Sequence, residues 1–327
     1  MTMTTAPHTI SNPLVDVDDG PLKPIVVTGM HRSGTTWVGQ MLALSSRVCY
    51  FHEPMHPLFH INHHLWRTPL KRFCQYVDEG NCEPVEAMFD QVFGLRFDLA
   101  HAMHAARSTR EALSYARMRL AMAACRARRG VALVKDPAAL YATPWLASRY
   151  DANVVVVVRH PAAVAHSLFR THRGEAFADL LAQPRLMATF YPGMEDAMRR
   201  ADKGDLLDRA ALAWVVANQV VADYRERFAS WTFVRHEDLA RDPQGGFGAL
   251  YRRLGIRSTA RMKRAIDAHT NKRNPAGAPN NEFLHLKRDS EATTRQWRSF
   301  FTPQQIARLR DAVEPLASRF YGDEDWS

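Results

Sequence analysis

The stretch Pro24-Ile-Val-Val-Thr-Gly29-Met-His-Arg32-Ser33-Gly34-Thr35-Thr36-Trp37 decides the fold. Ile25 to Thr28 is a short β-branched run, the pattern of a buried strand, and the residues from Thr35 onward read as the start of a helix. Gly29 and Gly34 bound the turn between them and let the backbone bend tightly, so that the amides of Ser33 to Thr36 converge at a helix N-terminus whose dipole favours an anion. This is the chemistry of a phosphate cradle. Against the triphosphate loop G-x-x-x-x-G-K-[ST], both glycines match, but Thr35 stands at the lysine position and the cation of the loop is Arg32.

On both sides of this loop, short β-branched runs alternate with longer helical stretches. Val48 to Phe51, Val131 to Val134, Asn153 to Val158 and Trp231 to Val234 read as further strands. Val154 to Val158 is apolar throughout, as expected of a parallel strand covered by helices on both faces, so the predicted class is α/β with a central parallel sheet. Helices are expected at Thr35 to Leu44, Ser108 to Arg129, Ala162 to Thr171, Leu206 to Phe228, Gln244 to Leu254 and Pro303 to Phe320, the last with Thr302 as N-cap. Residues 1–22 are Thr-rich, carry Pro7, Pro13, Pro21 and an acidic patch, and read as a flexible tail. No linker divides the rest, so 23–327 is expected to be one domain. Segments 55–105 and 172–205 have weak periodicity and are expected to form insertions or lids.

The chain has 327 residues, 46% of them apolar, with a formal charge of +9. Its longest aliphatic run is far short of the roughly 20 residues of a membrane span. Cys49, Cys74, Cys82 and Cys125 form no C-x-x-C pair, which argues against a disulfide scaffold or structural zinc and favours a cytoplasmic setting. The charge is uneven. Residues 101–130 hold seven arginines and one glutamate, net +6, and 251–300 hold twelve Lys and Arg against four acids, net +8. No helix-turn-helix, zinc-finger or RNA-binding pattern accompanies these stretches, so a nucleic-acid partner is not expected. In the first stretch Leu113, Leu120 and Ala124 recur at helical intervals and predict an amphipathic helix with solvated arginines. Its sharper alternative is peripheral contact with the inner face of a membrane.

Arg32 to Trp37, following a buried strand, resembles the 5′-phosphosulfate loop of sulfotransferases that use 3′-phosphoadenosine 5′-phosphosulfate (PAPS). A second motif of that family is an Arg at a strand end and a Ser eight residues later, and Arg159 and Ser167 have this spacing. Leu286-Lys287-Arg288-Asp-Ser290, then Trp297-Arg298 and a close at Tyr321-Gly322, resembles the end of the carbohydrate (GlcNAc-6-O-type) sulfotransferases. Phe-Val-Arg235-His-Glu237-Asp238-Leu239 resembles the family's strand ending in Tyr-Glu-Asp-Leu, with His236 in place of Tyr. The resemblance runs from about residue 24 to 322 and is weak across 55–130 and 172–205. It implies a P-loop NTPase-like three-layer fold, PAPS as donor, 3′,5′-adenosine bisphosphate (PAP) as product, and no metal. It also implies that Arg32, Ser33, Gly34, Thr35, Thr36 and Trp37 hold the 5′ side of the cofactor. Arg159, Ser167, Lys287, Arg288 and Ser290 are implied at the 3′-phosphate or over the adenosine.

Sulfuryl transfer needs positioning, charge stabilisation and a base for the acceptor hydroxyl. Glu53, in Tyr50-Phe-His-Glu53-Pro54, follows Arg32 by 21 residues. The carbohydrate and protein-tyrosine enzymes carry their base carboxylate at this spacing, so the resemblance implies Glu53 as general base. His52 is the competing base, and strand alternation predicts that it points away from Glu53. Lys135 ends a strand 24 residues before Arg159, the spacing of the cytosolic enzymes' catalytic lysine, and with Arg32 would neutralise charge on the transferring group. His52, His56, His60, His63 and His64 are crowded, but Pro54 and Pro57 interrupt them. His56, His60 and Trp66 are read as acceptor-pocket lining or polar surface, and no metal site is expected. The acceptor implied is a hydroxyl of a carbohydrate, glycolipid or other small-molecule or lipid, phenolic and quinol lipids included. A P-loop kinase is the rival enzyme class, disfavoured by the absent loop lysine. A non-catalytic nucleotide-binding or membrane-associated protein is the third reading.

Overall fold

Five strands line up side by side in the order β2-β3-β1-β4-β5, all parallel. They are β1 (Ile25–Gly29), β2 (Val48–His52), β3 (Val131–Lys135), β4 (Asn153–Val158) and β5 (Thr232–Arg235). Each coincides with a predicted run to within one residue at either end. The computed structural model describes residues 20–57, 70, 72–96, 98–171, 177–275 and 287–327. Residues 1–19 of the predicted tail, His60, His63, His64, Trp66 and Leu286 lie outside the described residues.

Alternation along the strands splits the core in two. Val26, Val134, Val154 and Val156 face one side, where Tyr115, Leu168, Trp214, Val220, Leu309 and Val313 bury against them. Ile25, Val27, Leu133, Val155 and Val157 face the other, against Val38, Met41, Phe247, Tyr251, Met262 and Ile266. The helices Thr109–Ala127, Pro161–Thr171, Leu206–Arg227 and Pro303–Val313 cover the first face, and Thr35–Leu42, Pro243–Arg253 and Ala260–Thr270 the second. The result is the expected three-layer α/β arrangement, and burial on both faces is why β4 is apolar throughout.

Two expectations need correction, and the set of expected helices needs additions. The predicted helix Pro303 to Phe320 ends at Val313, because Pro315 has no N–H to donate and forces Glu314 into an extended conformation (φ −77°, ψ 151°). Segments of weak periodicity contain the helices Glu83–Phe93, Leu99–Ala105, Ala178–Leu181, Pro184–Phe190 and Glu195–Lys203. The helix Thr109–Ala127 buries Tyr115, Met122 and Cys125, while Leu113 and Leu120 are 51% and 70% exposed. Arg117 lies between those two leucines on one face, so burying them would have buried a guanidinium as well.

The sheet positions the site through one edge. Gly29 ends β1, Glu53 follows β2, Lys135 ends β3, Arg159 follows β4 and His236 follows β5. The chain leaves β1 toward β2 on one side and crosses to β4 on the other. That reversal opens a crevice at the strands' carboxyl ends.

Candidate active site

The loop after β1 is shaped by two close approaches. Gly29 has φ 140°, and a Cβ there would lie 2.3 Å from the Val157 carbonyl oxygen of β4. Gly34 has φ 94°, and its Cβ would lie 2.3 Å from Cδ2 of His236. That imidazole fills the space left by Gly34 and packs against Trp37, with ring centroids 5.2 Å apart, so His236 is part of the loop's support. Burial, then the charges of Arg159 and Arg288, holds His236 well below the usual histidine value and keeps it neutral. The amide and hydroxyl of Ser33 both donate to the Met30 carbonyl, at 3.1 and 2.7 Å, so Ser33 shapes the turn. No side chain caps the helix Thr35–Leu42. Among the described residues, the amides of Gly34, Thr35, Thr36 and Trp37 have no acceptor, which shifts the cradle one residue beyond the predicted Ser33 to Thr36.

Glu53 sits beside this loop in a left-handed conformation, φ 49°. Its amide donates to the Lys135 carbonyl at 2.8 Å, extending the β2–β3 ladder one step, and its Oε1 receives a short ion-pair hydrogen bond from Lys135 Nζ. The Lys135 side chain is wholly buried, and that of Glu53 is 14% exposed. Gly39 makes room for the lysine stem, since a Cβ there would approach Lys135 Cγ to 3.0 Å. Burial alone would raise Glu53, but the charge and hydrogen bond of Lys135 outweigh it and hold the carboxyl below its usual range. Burial lowers Lys135, and Glu53 opposes that shift.

His52 does not point away from Glu53. Its Nε2 lies 3.9 Å from Glu53 Oε1, because the positive φ of Glu53 breaks the strand alternation on which that expectation rests. Burial, then the charge of Lys135, pushes His52 down to about 4, and its Nδ1 is hydrogen-bonded to the Tyr50 hydroxyl at 2.9 Å. His56 and His31 both pack against the ring of Phe73, with centroids 4.7 and 4.5 Å away. Asp136 was not among the expected site residues. Its carboxylate accepts from the Met55 amide at 2.6 Å and the Ala138 amide at 2.9 Å, which fixes the turn carrying Glu53. The dipeptide Asp136-Pro137, a helix-start signal, is the sequence trace of this role.

Arg32, with φ 69°, donates from Nε to Ser167 Oγ at 2.8 Å, and Arg159 donates from Nη1 to the Arg32 carbonyl at 3.0 Å. The two family motifs thus meet at one place. The Arg159 carbonyl accepts from Trp214 Nε1 at 2.9 Å, while Arg159 Nε is buried without a partner among the described residues. Burial lowers Arg159, Glu237 counters it, and the neighbouring charge of Arg288 lowers it further. Arg288 is itself lowered by burial and by Arg170. Lys287 is exposed beside it. The Ser290 hydroxyl is turned to the carbonyls of Ala240 and Thr270, at 3.0 and 3.2 Å, and ties its helix to the core. Trp297 stacks on His160 at 4.9 Å, and Glu237 accepts from the His160 amide and the Tyr321 hydroxyl, so the C-terminal motifs brace the end of β4.

Open amides at a helix N-terminus, a buried guanidinium nitrogen without a partner and mutually repelling arginines fit a polyanionic ligand. The class defined is an α/β protein with an anion cradle and an adjacent Glu–Lys pair. Residues 24–260 match the model of the Sulfotransferase family, and the chain belongs to that family. No curated protein sequence matches it. Among solved structures it is similar to the sulfotransferase domain from the curacin biosynthetic pathway, with 16% identity over 91% of this chain and 97% of that one and a TM-score of 0.47. The sulfotransferase domain from the Synechococcus PCC 7002 olefin synthase gives 17%, 95%, 99% and 0.46. Mouse sulfotransferase SULT7A1 complexed with PAP gives 14%, 89%, 82% and 0.39. Among the described residues no helix is long and apolar enough to cross a membrane, and no three His, Cys, Asp or Glu side chains are grouped as metal ligands.

Proposed function

We propose that the chain transfers a sulfuryl group from PAPS to a hydroxyl of a carbohydrate, glycolipid or other small-molecule or lipid acceptor, in the manner of the GlcNAc-6-O-type enzymes and without a metal. The observation that carries this reading is the Glu53 carboxylate held against the buried Lys135 ammonium, beside the open amides that follow Gly34. Bound at this crevice, PAPS supplies a sulfuryl group already activated by a phosphate leaving group. Arg32 and the amides of Gly34 to Trp37 hold that phosphate and neutralise the charge it gains. Arg159, Ser167 and Arg288 hold the 3′-phosphate.

Glu53 is ionised at neutral pH and so is ready to accept the acceptor's proton, but its pairing with Lys135 keeps it a weak base. Lys135 must divide its ammonium between Glu53 and the sulfuryl oxygens. As Nζ turns toward the oxygens, burial dominates at Glu53 and its affinity for a proton rises at the moment it is needed. Neutral His52, near the same carboxylate oxygen that Lys135 contacts, adds a polar neighbour without competing for the charge. Cys49, Cys82 and Cys125, which form no disulfide among the described residues, suit the cytoplasmic setting proposed.

The test is Glu53→Gln, assayed with labelled PAPS and host extract alongside PAP binding. The expected result is loss of labelled product with PAP affinity nearly unchanged. Retained turnover would move the base to His52 or elsewhere. Preference for PAP over ATP in the absence of Mg²⁺ separates this reading from a kinase.

A further inference from the structure

The helix Thr109–Ala127 has 19 residues and is therefore about 28 Å long. Its buried side, Tyr115, Met122 and Cys125, packs on the core. Arg110, Leu113, Arg117, Leu120 and, at the helix end, Arg128 follow one another at intervals of three, four or eight and share the opposite face. Leu113 and Leu120 are among the few large apolar side chains that are exposed. Glu111, the one acid of residues 101–130, is turned away and accepts from the Arg107 amide at 2.7 Å. Among the described residues, Arg110, Arg117 and Arg128 have no ion-pair partner, and the candidate active site uses none of them.

We propose that this face seats the protein on an anionic phospholipid surface. Single exposed leucines are ordinary. Here two leucines are interleaved with unneutralised guanidinium groups along a straight ridge. That pattern gives shallow apolar insertion and attraction to lipid phosphates together. The charge complementarity selects the anionic surface over a second copy of this chain, whose matching ridge would carry the same positive sign. The inference goes beyond the sulfuryl-transfer reading and does not depend on it.

The test is co-sedimentation of the full chain with vesicles of phosphatidylcholine alone and of phosphatidylcholine with one-third phosphatidylglycerol. Binding to the anionic vesicles only, weakened by salt, is expected. Arg110→Gln and Arg117→Gln should each lower the partition coefficient about fivefold. Leu113→Ser with Leu120→Ser should lower it further at raised salt, where the apolar contribution dominates. All four side chains are exposed, and unchanged thermal melting serves as the control for folding. Arg261→Gln with Lys263→Gln, two exposed residues of the helix Ala260–Thr270, should leave binding unchanged. Absence of binding to anionic vesicles, equal binding by the helix variants, or an equal loss on changing Arg261 and Lys263 would overturn the proposal. So would displacement by soluble polyglutamate as effective as by vesicles, which would indicate an acidic protein partner.

Discussion

Asp136 shows how one side chain can set the state of its neighbours without touching an acceptor. It is fully buried, and each of its oxygens accepts an amide, from Met55 and from Ala138. Burial, then the negative charge of Glu53, pushes it up to about 7 against those two bonds and Lys135. Its ordinary value is 3.8, so the folded chain holds this proton more tightly than the unfolded chain does. Its contribution to stability is therefore present at low pH and is lost as pH rises from about 4 to about 7. Asparagine can accept only one of the two amides and would set its NH₂ against the other, at a cost of about 1–3 kcal/mol. Asp136→Asn should lower the Tm, and the gap to the unaltered protein should narrow as pH rises through this window. Melting curves at several pH values check it, and a gap that widens with pH refutes the assigned direction.

At the scale of the element, the loop after β1 and its first helical turn depend on His236 from the end of β5. Alanine at Gly34 meets two obstacles, a backbone at φ 94° and an imidazole 2.3 Å from the new Cβ. Gly34→Ala is expected to destabilise by about 2–4 kcal/mol and to abolish PAP binding. Adding His236→Gly should return part of the Tm but not the binding, because the contact is relieved while the strained backbone remains. If the double variant melts no higher than Gly34→Ala alone, the contact is not the cause. The five strands are legible in the sequence because their runs are short, β-branched and bounded by polar or glycine positions, and β4 declares its two buried faces by its five consecutive valines. The orientation of the helix Thr109–Ala127 is less so. Leu113-Leu120-Ala124 and Tyr115-Met122-Cys125 both have helical spacing, and only Arg117 among the leucines marks which stripe stays in water. The Glu53–Lys135 pair is also out of reach of local patterns, because it arises from the parallel register that sets His52 opposite Lys135.

Across the whole molecule, the sheet brings to one edge cationic groups that the sequence keeps far apart. Arg32, Arg159 and Arg288 come from three distant segments; burial and the charge of Arg288 lower Arg159, and burial and the charge of Arg170 lower Arg288. The repulsion between Arg159 and Arg288 weakens the free protein, and the anion proposed for this site would relieve it. The +9 balance of the chain gains a location from this: part of the C-terminal excess faces Arg159, and the arginines of 101–130 face outward. Arg288→Gln separates the two effects. Without ligand, its Tm should equal or exceed that of the unaltered protein, since a repelling charge is gone. With PAP at about 100 times the Kd, the unaltered protein should gain about 2.7 kcal/mol, and the variant, tested at the same concentration, should gain much less. Thermal melts with and without PAP at two salt concentrations measure both quantities. A variant that melts lower without ligand and keeps the full PAP shift would show that Arg288 braces the fold and takes no part in holding the anion.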